Sequence, residues 1–364
     1  MAEYAQIDDG TAASISHLRS TGMNWGRVAK HLGISPRELY RIRAKLPPEV
    51  TFSSILSDEE LEAEIRHIKA VSPHFGEVYV KAALLRNGFK VPRHRIRNVI
   101  HEIDPIGCVQ RKKPKITRGN YSVPGSMYIW HNDGNEKCQH FHIYVHGCVD
   151  GHSRKSIYVK CTNNKRASTP LKFFYDAAMS YGLPRFVRFD RGGENVRVGE
   201  FMEDNLQTQG IERCVLVGSS HRNVRIERFW GEINKITLSF KLLFYDMERS
   251  GILNAYDPIH IFALHFIFLP RMQKALDNYT EIWDVHSLST EQFRSPLDMF
   301  LTEPYGPGHP VSHHPVFEPE PEEELTAEQN EFASSIVPDP MLDDGNSGVN
   351  LYIQLVQSIH DSLV

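Results

Sequence analysis

Apolar and polar positions along the middle of the chain follow two periods, one typical of strands and one typical of helices. The period of two and short apolar runs predict strands over residues 127–130, 141–149, 156–161, 185–189 and 214–217. The helical period predicts helices over residues 170–181, 198–209 and 223–248. Three strands in antiparallel order, followed by alternating helices and strands, predict an α/β fold with a mixed sheet flanked by helices.

Residues 1–48 show helical periodicity and predict a small all-α module. Gly33 supplies a turn, and Pro36 stands at the first position of a third helix. That helix would present Arg37, Arg41 and Lys45 at i, i+4 and i+8 on one face. The arrangement predicts a helix-turn-helix whose last helix enters the major groove of DNA. An ordinary three-helix bundle with a solvated basic face is the alternative.

Residues 57–106 predict a second helical module of the same type. Ser57 followed by Glu60 is a capping-box pattern, and helices are expected over 58–70, 76–88 and 92–104. The last of these helices carries the basic residues Arg93, Arg95 and Arg97. A linker follows over residues 107–124, and its basic run includes Arg111, Lys112 and Lys113. Such a basic run would bind phosphate groups or act as a nuclear import signal.

The charge of the chain is distributed unevenly. Residues 1–124 hold 20 Lys and Arg against 13 Asp and Glu, which favours a polyanionic partner for this part. Residues 315–364 hold 11 Asp and Glu and no Lys or Arg. The segment 304–364 is therefore expected to be an acidic, largely disordered tail that binds a protein partner or screens the basic part. Its last residues, 349–363, have the pattern of a short amphipathic helix.

The composition favours some cellular locations over others. The sequence has no apolar stretch of 18 residues and its first residues lack a signal-peptide pattern, so no membrane partner is expected. The five scattered cysteines favour reduced thiols. We expect a nuclear protein if the source is eukaryotic, and a cytoplasmic one otherwise. Cys138, His140 and His142 would share one strand face, but a second ligand pair at zinc spacing is missing, so we interpret them as a polar face.

Three acids stand where predicted elements begin or end. Asp133 and Asp190 follow the first and fourth strands, and Glu227 lies near the start of the long helix. If those strands are neighbours, the three carboxylates form an oxygen cage that suits Mg²⁺ or Mn²⁺. Two such ions would activate an attacking oxygen and stabilise a leaving oxygen. The alternative is that the two aspartates only form turns and that Glu227 is a solvated helix position.

Several motifs around these acids resemble the catalytic core of the DDE integrase and transposase family, in the form found in eukaryotic mobile elements and in proteins domesticated from them. The motifs are WHNDGN, VDGHSRK, RFDRGGEN, GSSHRNVRIERFWGEI and FRSPLDMF. The resemblance implies an RNase H-like core over 125–250 with a helical extension over 251–303. It also implies 3′-end processing and strand transfer on double-stranded DNA, two divalent ions, self-association, and DNA contacts from His221, Asn223 and Arg225.

Two other functions stay open. A domesticated protein would keep the scaffold and bind DNA without catalysis. An RNase H-type nuclease would act on RNA–DNA hybrids, although the upstream helical modules disfavour it. The chain also departs from retroviral integrases, because Cys108 is the only cysteine before residue 125 and a His-His-Cys-Cys zinc bundle cannot form there.

Overall fold

The computed structural model describes residues 9–20, 23–43, 56–111, 121–219, 223–306, 308–315 and 327–363. The chain divides into two compact units. The first unit comprises Met1–Ser126, His152–Lys155 and Glu281–Tyr305, and the second comprises Met127–Gly151, Ser156–Thr280 and Gly306–Val364. The predicted helical extension over 251–303 is thus divided between the two units. None of the described helices is long and apolar enough to cross a bilayer.

The first unit begins with three short helices, as the periodicity predicts. They are α1 (Asp9–Ser20), α2 (Trp25–Leu32) and α3 (Pro36–Arg43). Asn24 caps α2 by accepting a hydrogen bond from the Arg27 backbone N–H at 3.0 Å, and Gly33 ends it in the left-handed region with φ 66°. Ile15, Val28 and other buried apolar side chains form the core between the helices. Lys45 lies outside the described residues.

Four more helices follow in the first unit. They are α4 (Asp58–Val71), α5 (Glu77–Arg86), α6 (Arg93–Ile103) and α7 (Pro105–Gln110). The capping box is present, because the Glu60 N–H donates to Ser57 Oγ at 3.1 Å and the Ser57 N–H donates to Glu60 Oε2 at 2.8 Å. Helix α7 lies largely in the segment predicted as a linker. Asp104 starts it by accepting a hydrogen bond from the Gly107 N–H at 3.0 Å.

The second unit is built on a five-stranded sheet with the order β3-β2-β1-β4-β5. The strands are β1 (Ile129–Cys138), β2 (Ile143–Asp150), β3 (Ser156–Thr162), β4 (Phe186–Phe189) and β5 (Val215–Val217). The first three strands pair antiparallel, and β1 and β5 each pair parallel with β4. This mixed sheet with flanking helices is the RNase H-like fold that the sequence predicts.

The predicted end of the first strand is wrong. Asn132, Asp133 and Gly134 suggest a turn, yet β1 continues through them to Cys138. The reason is tertiary pairing, since β2 provides backbone partners along this stretch and places Gly147 opposite Asp133. The second strand is also shorter than predicted, because residues Gln139–Phe141 form a 3₁₀ turn.

Seven further helices of the described residues follow in chain order. They are α8 (Ser168–Tyr181), α9 (Val196–Gln207), α10 (Val224–Arg249), α11 (Pro258–Val285), α12 (Pro296–Thr302), α13 (Ala327–Ile336) and α14 (Val349–Leu363). Helix α12 and the end of α11 belong to the first unit. Within the segment predicted as a largely disordered tail, the structure has α13, and α14 forms over the residues with the amphipathic pattern. The apolar face of α14 is buried, since Tyr352 and Leu355 are fully buried.

Candidate active site

The sheet register brings Asp133 and Asp190 side by side. Asp133 lies in β1 two residues after His131, and Asp190 follows β4 two residues after Arg188. Because His131 and Arg188 are register partners in parallel strands, equal steps along both strands lead to neighbouring positions on the same face. Glu227 reaches the site from the first turn of α10.

The three acids line one open cleft of about 680 Å³ in the second unit. The cleft is lined by Asp133, Gly134, Asn135, Glu136, Lys137, Gln139, His140, Asp190, Glu227, Trp230, Gly231, Asn234, Lys241 and Tyr245. The acids come from two strands and a helix that are far apart in sequence. The fold therefore gathers them at a single solvent-accessible place.

Asp133 has an unusual electrostatic environment. Burial, together with the neighbouring charges of Asp190 and Glu227, raises the pKa of its carboxyl group to about 7. A hydrogen bond from Trp230 Nε1 to Asp133 Oδ2, at 2.8 Å, acts in the opposite direction. The like charges of the three acids are thus close enough to act on one another.

Trp230 holds Asp133 in place and is the functional residue that sequence reasoning missed. Its side chain is buried, and its indole N–H is used at the site. The ring lies over Gly147, where a Cβ atom would come within 2.6 Å of Trp230 Cη2. The signal in the sequence is the spacing, because Trp230 stands three residues after Glu227 and so shares its helix face.

Asn223 fixes the start of the helix that carries Glu227. Its side-chain amide donates to the backbone oxygen of Asn132 at 3.0 Å, and its Oδ1 lies 2.6 Å from His131 Nδ1. Its own backbone oxygen accepts the Glu227 N–H at 3.1 Å. Burial lowers the pKa of His131 to about 4, so the imidazole is neutral at pH 7. This network ties α10 to β1.

A second network ties β1 to the segment that follows Asp190. Asn132 Nδ2 donates to Asn195 Oδ1 at 2.6 Å, and the Tyr158 hydroxyl donates to Asn132 Oδ1. Asn132 and Asn195 are both buried. Buried polar side chains that are hydrogen-bonded in this way favour one arrangement of the backbone. Asp133 and Asp190 are therefore held in fixed relation.

Two glycines leave room for a fourth acid, Glu194, beside the site. A Cβ atom on Gly134 would lie 2.5 Å from Glu194 Oε1, and one on Gly192 would lie 3.0 Å from Asp190 Oδ1. The Gly192 N–H donates to Asp190 Oδ1 at 2.8 Å. Burial raises the pKa of Glu194, and the charge of Asp190 adds to the shift. Gly192 thus lies close to Asp190 and Glu194, whereas a Cβ atom on Gly193 would meet no atom within 4 Å.

Two residues predicted as DNA contacts of the core make hydrogen bonds within the second unit. Asn223 is buried in the network described above. Arg225 donates from Nε to the backbone oxygen of Gly151 at 2.8 Å. Both side chains are used within the unit because they hold the beginning of α10. His221 lies outside the described residues.

The basic residues Arg93, Arg95 and Arg97 of the second helical module, and Arg111 of the predicted linker, are paired with acids of the same unit. Glu77 accepts from Arg97 at 3.1 Å and also pairs with Arg93. Arg95 lies 2.6 Å from Asp58, and Arg111 lies 2.8 Å from Asp104. The side chains of Arg37 and Arg41 on α3 are exposed. Lys112 and Lys113 lie outside the described residues.

The histidine and cysteine side chains around residue 140 contact different partners and do not share one site. Cys138 Sγ donates to the backbone of Thr237, His140 Nε2 lies 3.0 Å from Glu248, and His146 Nε2 lies 3.1 Å from Thr162 Oγ1. His142 has φ 53° after the 3₁₀ turn, so the shared strand face predicted for this run is wrong.

Comparison with known protein families gives a match over the sheet of the second unit. The family model described as integrase core domain matches residues 120–305, which is 186 of the 364 residues. The chain belongs to the integrase core family. Its match covers the whole sheet and all three acids of this integrase core. No curated protein matches the chain.

Among solved structures, this integrase-core protein is similar to the cryoEM structure of a simian T-cell lymphotropic virus intasome in complex with PP2A regulatory subunit B56 gamma. The sequence identity is 15% and the TM-score is 0.36. The likeness covers 71% of this chain and 76% of the other.

Members of the integrase core family generally use divalent metal ions, and the donor set of the cleft fits them. Carboxylate oxygens are hard ligands of the kind that Mg²⁺ prefers. The like-charge repulsion at Asp133 is also of the kind that a cation offsets. However, within the part of the chain that the structure describes, no three His, Cys, Asp or Glu side chains are grouped closely enough to hold one ion.

Proposed function

We propose that this chain is a divalent-metal-dependent DNA integrase or transposase that processes 3′ ends and joins them to target DNA. The observation that carries the proposal is the gathering of Asp133, Asp190 and Glu227 in one open cleft. These residues would hold two Mg²⁺ or Mn²⁺ ions. When bound, such ions activate the attacking oxygen and stabilise the leaving oxygen.

The chain's own residues orient this chemistry. Trp230 sets the direction of the Asp133 carboxylate, Gly192 sets that of Asp190, and Asn223 holds the helix start that presents Glu227. In the first step, a water oxygen attacks phosphorus and a 3′-hydroxyl leaves. In the second step, that hydroxyl attacks a target phosphodiester, and the target's own 3′ oxygen leaves. Both steps exchange one P–O bond for another, so no oxidant or reductant is needed.

Double-stranded DNA is the proposed substrate, and Arg37 and Arg41 are the proposed contacts on the first helical module. Their exposure supports this role. By resemblance to the family, we also propose self-association and, in a eukaryotic source, residence in the nucleus. Light scattering of the purified chain tests the first, and imaging of a tagged full chain in its source cell tests the second.

The direct test is strand transfer by the purified full chain with Mg²⁺ or Mn²⁺, beside Asp190→Asn. We expect joined products from the wild type and none from the variant, because the exchange removes a carboxylate charge without changing the shape of the side chain. Equal inactivity of both proteins would overturn the enzymatic proposal. Cleavage of an RNA–DNA hybrid in preference to duplex DNA would favour an RNase H-type nuclease instead.

A DNA-binding protein without catalytic activity is the second candidate. It is favoured by the absence, among the described residues, of three acids close enough to hold one ion. This candidate predicts inert wild type and Asp190→Asn proteins that both retain duplex affinity. Strand transfer by the wild type would exclude it.

A further inference from the structure

The cleft follows one face of α10 well beyond the three acids. The helix residues that line it are Glu227, Trp230, Gly231, Asn234, Lys241 and Tyr245. Their spacings of 3, 4, 7, 14 and 18 from Glu227 return to the same helix face. At a rise of 1.5 Å per residue, Tyr245 stands about 27 Å from Glu227 along the helix axis. The cleft is therefore long enough to hold several nucleotides.

The cleft is lined by side chains of both charges. Four acids line it, and so do Lys137 and Lys241, of which Lys241 stands 14 residues after Glu227 on α10. A third lysine, Lys165, lies 3.1 Å from Glu136 and is neutralised by it. Within the described residues, by contrast, no carboxylate lies within ion-pair distance of Lys137 or Lys241. Two lysines without anionic partners on one cleft wall favour an anionic ligand.

Lys241 is held in position by aromatic side chains. Its ammonium group lies 5.6 Å from the centroid of the Tyr245 ring, which is a cation–π distance. The Tyr245 ring in turn stacks on His140, with centroids 5.7 Å apart and an angle of 22° between the planes. Because these contacts restrict the lysine, it loses less conformational freedom when it binds an anion.

We propose that the part of the cleft at Lys137 and Lys241 is a phosphate subsite for the DNA strand whose reacting phosphodiester lies at the three acids. The DNA identity of the ligand rests on the proposed function. Lys241 follows Glu227 by 14 residues, or about 21 Å along the helix. For a duplex that lies along α10 and rises 3.4 Å per nucleotide along its own axis, the bound phosphate is on the order of six nucleotides from the reacting one.

The first test measures duplex DNA binding by the full chain in EDTA over a range of salt concentrations. Each phosphate contact contributes about 0.9 to the log–log salt slope, so K137A/K241A should lower the slope by about 1.8. The matched control is K172A/K274A, which removes two exposed lysines of the same unit and should leave the slope unchanged. Equal slopes for wild type and K137A/K241A, or an equal loss in the control, would overturn the subsite. Melting temperatures of the variants check that they fold.

The second test locates the phosphate. Single methylphosphonates, which remove one phosphate charge, are placed at successive positions of the duplex. The wild type should lose affinity when the substitution lies about six nucleotides from the reacting phosphate, and K137A/K241A should show no such loss at that position. A position-independent loss in the wild type contradicts the subsite, and a loss seen only with duplex RNA contradicts the DNA assignment.

These results separate the subsite from the proposed function, since neither measurement needs a metal ion. A lower salt slope of duplex binding in K137A/K241A, with no strand transfer by the wild type, would support the phosphate subsite and contradict the proposed integrase activity. Strand transfer by the wild type, with the same salt slope in both proteins, would support the integrase activity and contradict the subsite.

Discussion

The cleft of the second unit and helices α5 and α6 of the second helical module differ in how their charged side chains are arranged. In the cleft, Asp133, Asp190 and Glu227 are gathered together, and burial and repulsion raise the pKa of Asp133 to about 7. In the module, Glu77 lies between Arg93 and Arg97, and their hydrogen bonds lower its pKa although burial acts in the other direction. Paired charges stabilise a fold by modest amounts, whereas gathered like charges cost stability. Because gathered like charges lower stability, their presence indicates that the cleft, and not the module, is the functional site.

The largest difference between the two regions should appear in catalysis. Glu227→Gln should lower the strand-transfer rate by at least about 10²–10³-fold, because loss of one charged group at a reaction centre has effects of this size. Arg93→Ala, which removes a paired cation, should leave the rate of the chemical step unchanged at saturating DNA. Single-turnover strand-transfer rates of both variants check this. A comparable loss of strand-transfer rate in both variants would contradict the catalytic difference between the cleft and the second helical module.

The second largest effect concerns stability and pH. The pKa of Asp133 is higher in the folded state than its ordinary value of 3.8, so the folded chain binds more protons between about pH 4 and pH 7. Stability from this group is therefore complete below pH 4 and is lost as pH rises towards 7, by a few kcal/mol at most. Asp133→Asn should remove this decline. Urea unfolding of metal-free protein at pH 5 and pH 8 tests it, and a decline of the same size in the variant would count against the gathered charges.

A matched pair of glycine substitutions tests how Asp133 is held. Gly147→Ala should destabilise the chain by about 1–3 kcal/mol, because the new Cβ would overlap Trp230. Gly193→Ala makes the same chemical change where no atom lies within 4 Å, and it should alter stability by less than about 0.5 kcal/mol. Urea unfolding gives both values, and the Trp230 fluorescence should change only in the first variant. Equal stability changes in the two variants would show that the Trp230 ring can move away from the new Cβ atom.

The smallest effects are expected in the first unit. Arg37→Ala with Arg41→Ala should lower the salt slope of duplex binding by about 1.8, because both cations are exposed. Arg93→Ala with Arg97→Ala should lower it by less than 1, because Glu77 already neutralises part of their charge. Binding measured over a salt range compares the two double variants. A larger change for the second pair would reassign DNA binding to α6.

The sequence predicts much of this fold because local and tertiary preferences agree. The Ser57 capping box, the turn at Gly33 and the order of strands and helices all form as expected. Asp133 and Asp190 line one cleft because β1 and β4 are neighbours in the sheet. These features depend on periodicity, capping and connection rules, which a single sequence carries.

The differences arise where tertiary contacts override local preference. Asp133 and Gly134 favour a turn in isolation, but pairing with β2 keeps them extended. Arg95 pairs with Asp58, 37 residues away, and no local pattern indicates this partner. Trp230 combines a buried ring with a hydrogen bond to Asp133, and hydrophobicity alone indicates only the burial. Ion pairs and polar contacts over long sequence separations leave no periodic signal.

The most direct test of the central claim, that three acids form one metal-dependent site, is calorimetric titration of Mn²⁺ into the full chain. The wild type should bind Mn²⁺, and Asp133→Asn, Asp190→Asn and Glu227→Gln should each weaken binding by at least about tenfold, since each removes one carboxylate. Lys172→Ala serves as the control and should bind as the wild type does. Mn²⁺ affinity that is unchanged by any one of the three acid substitutions would contradict a single site built from all three.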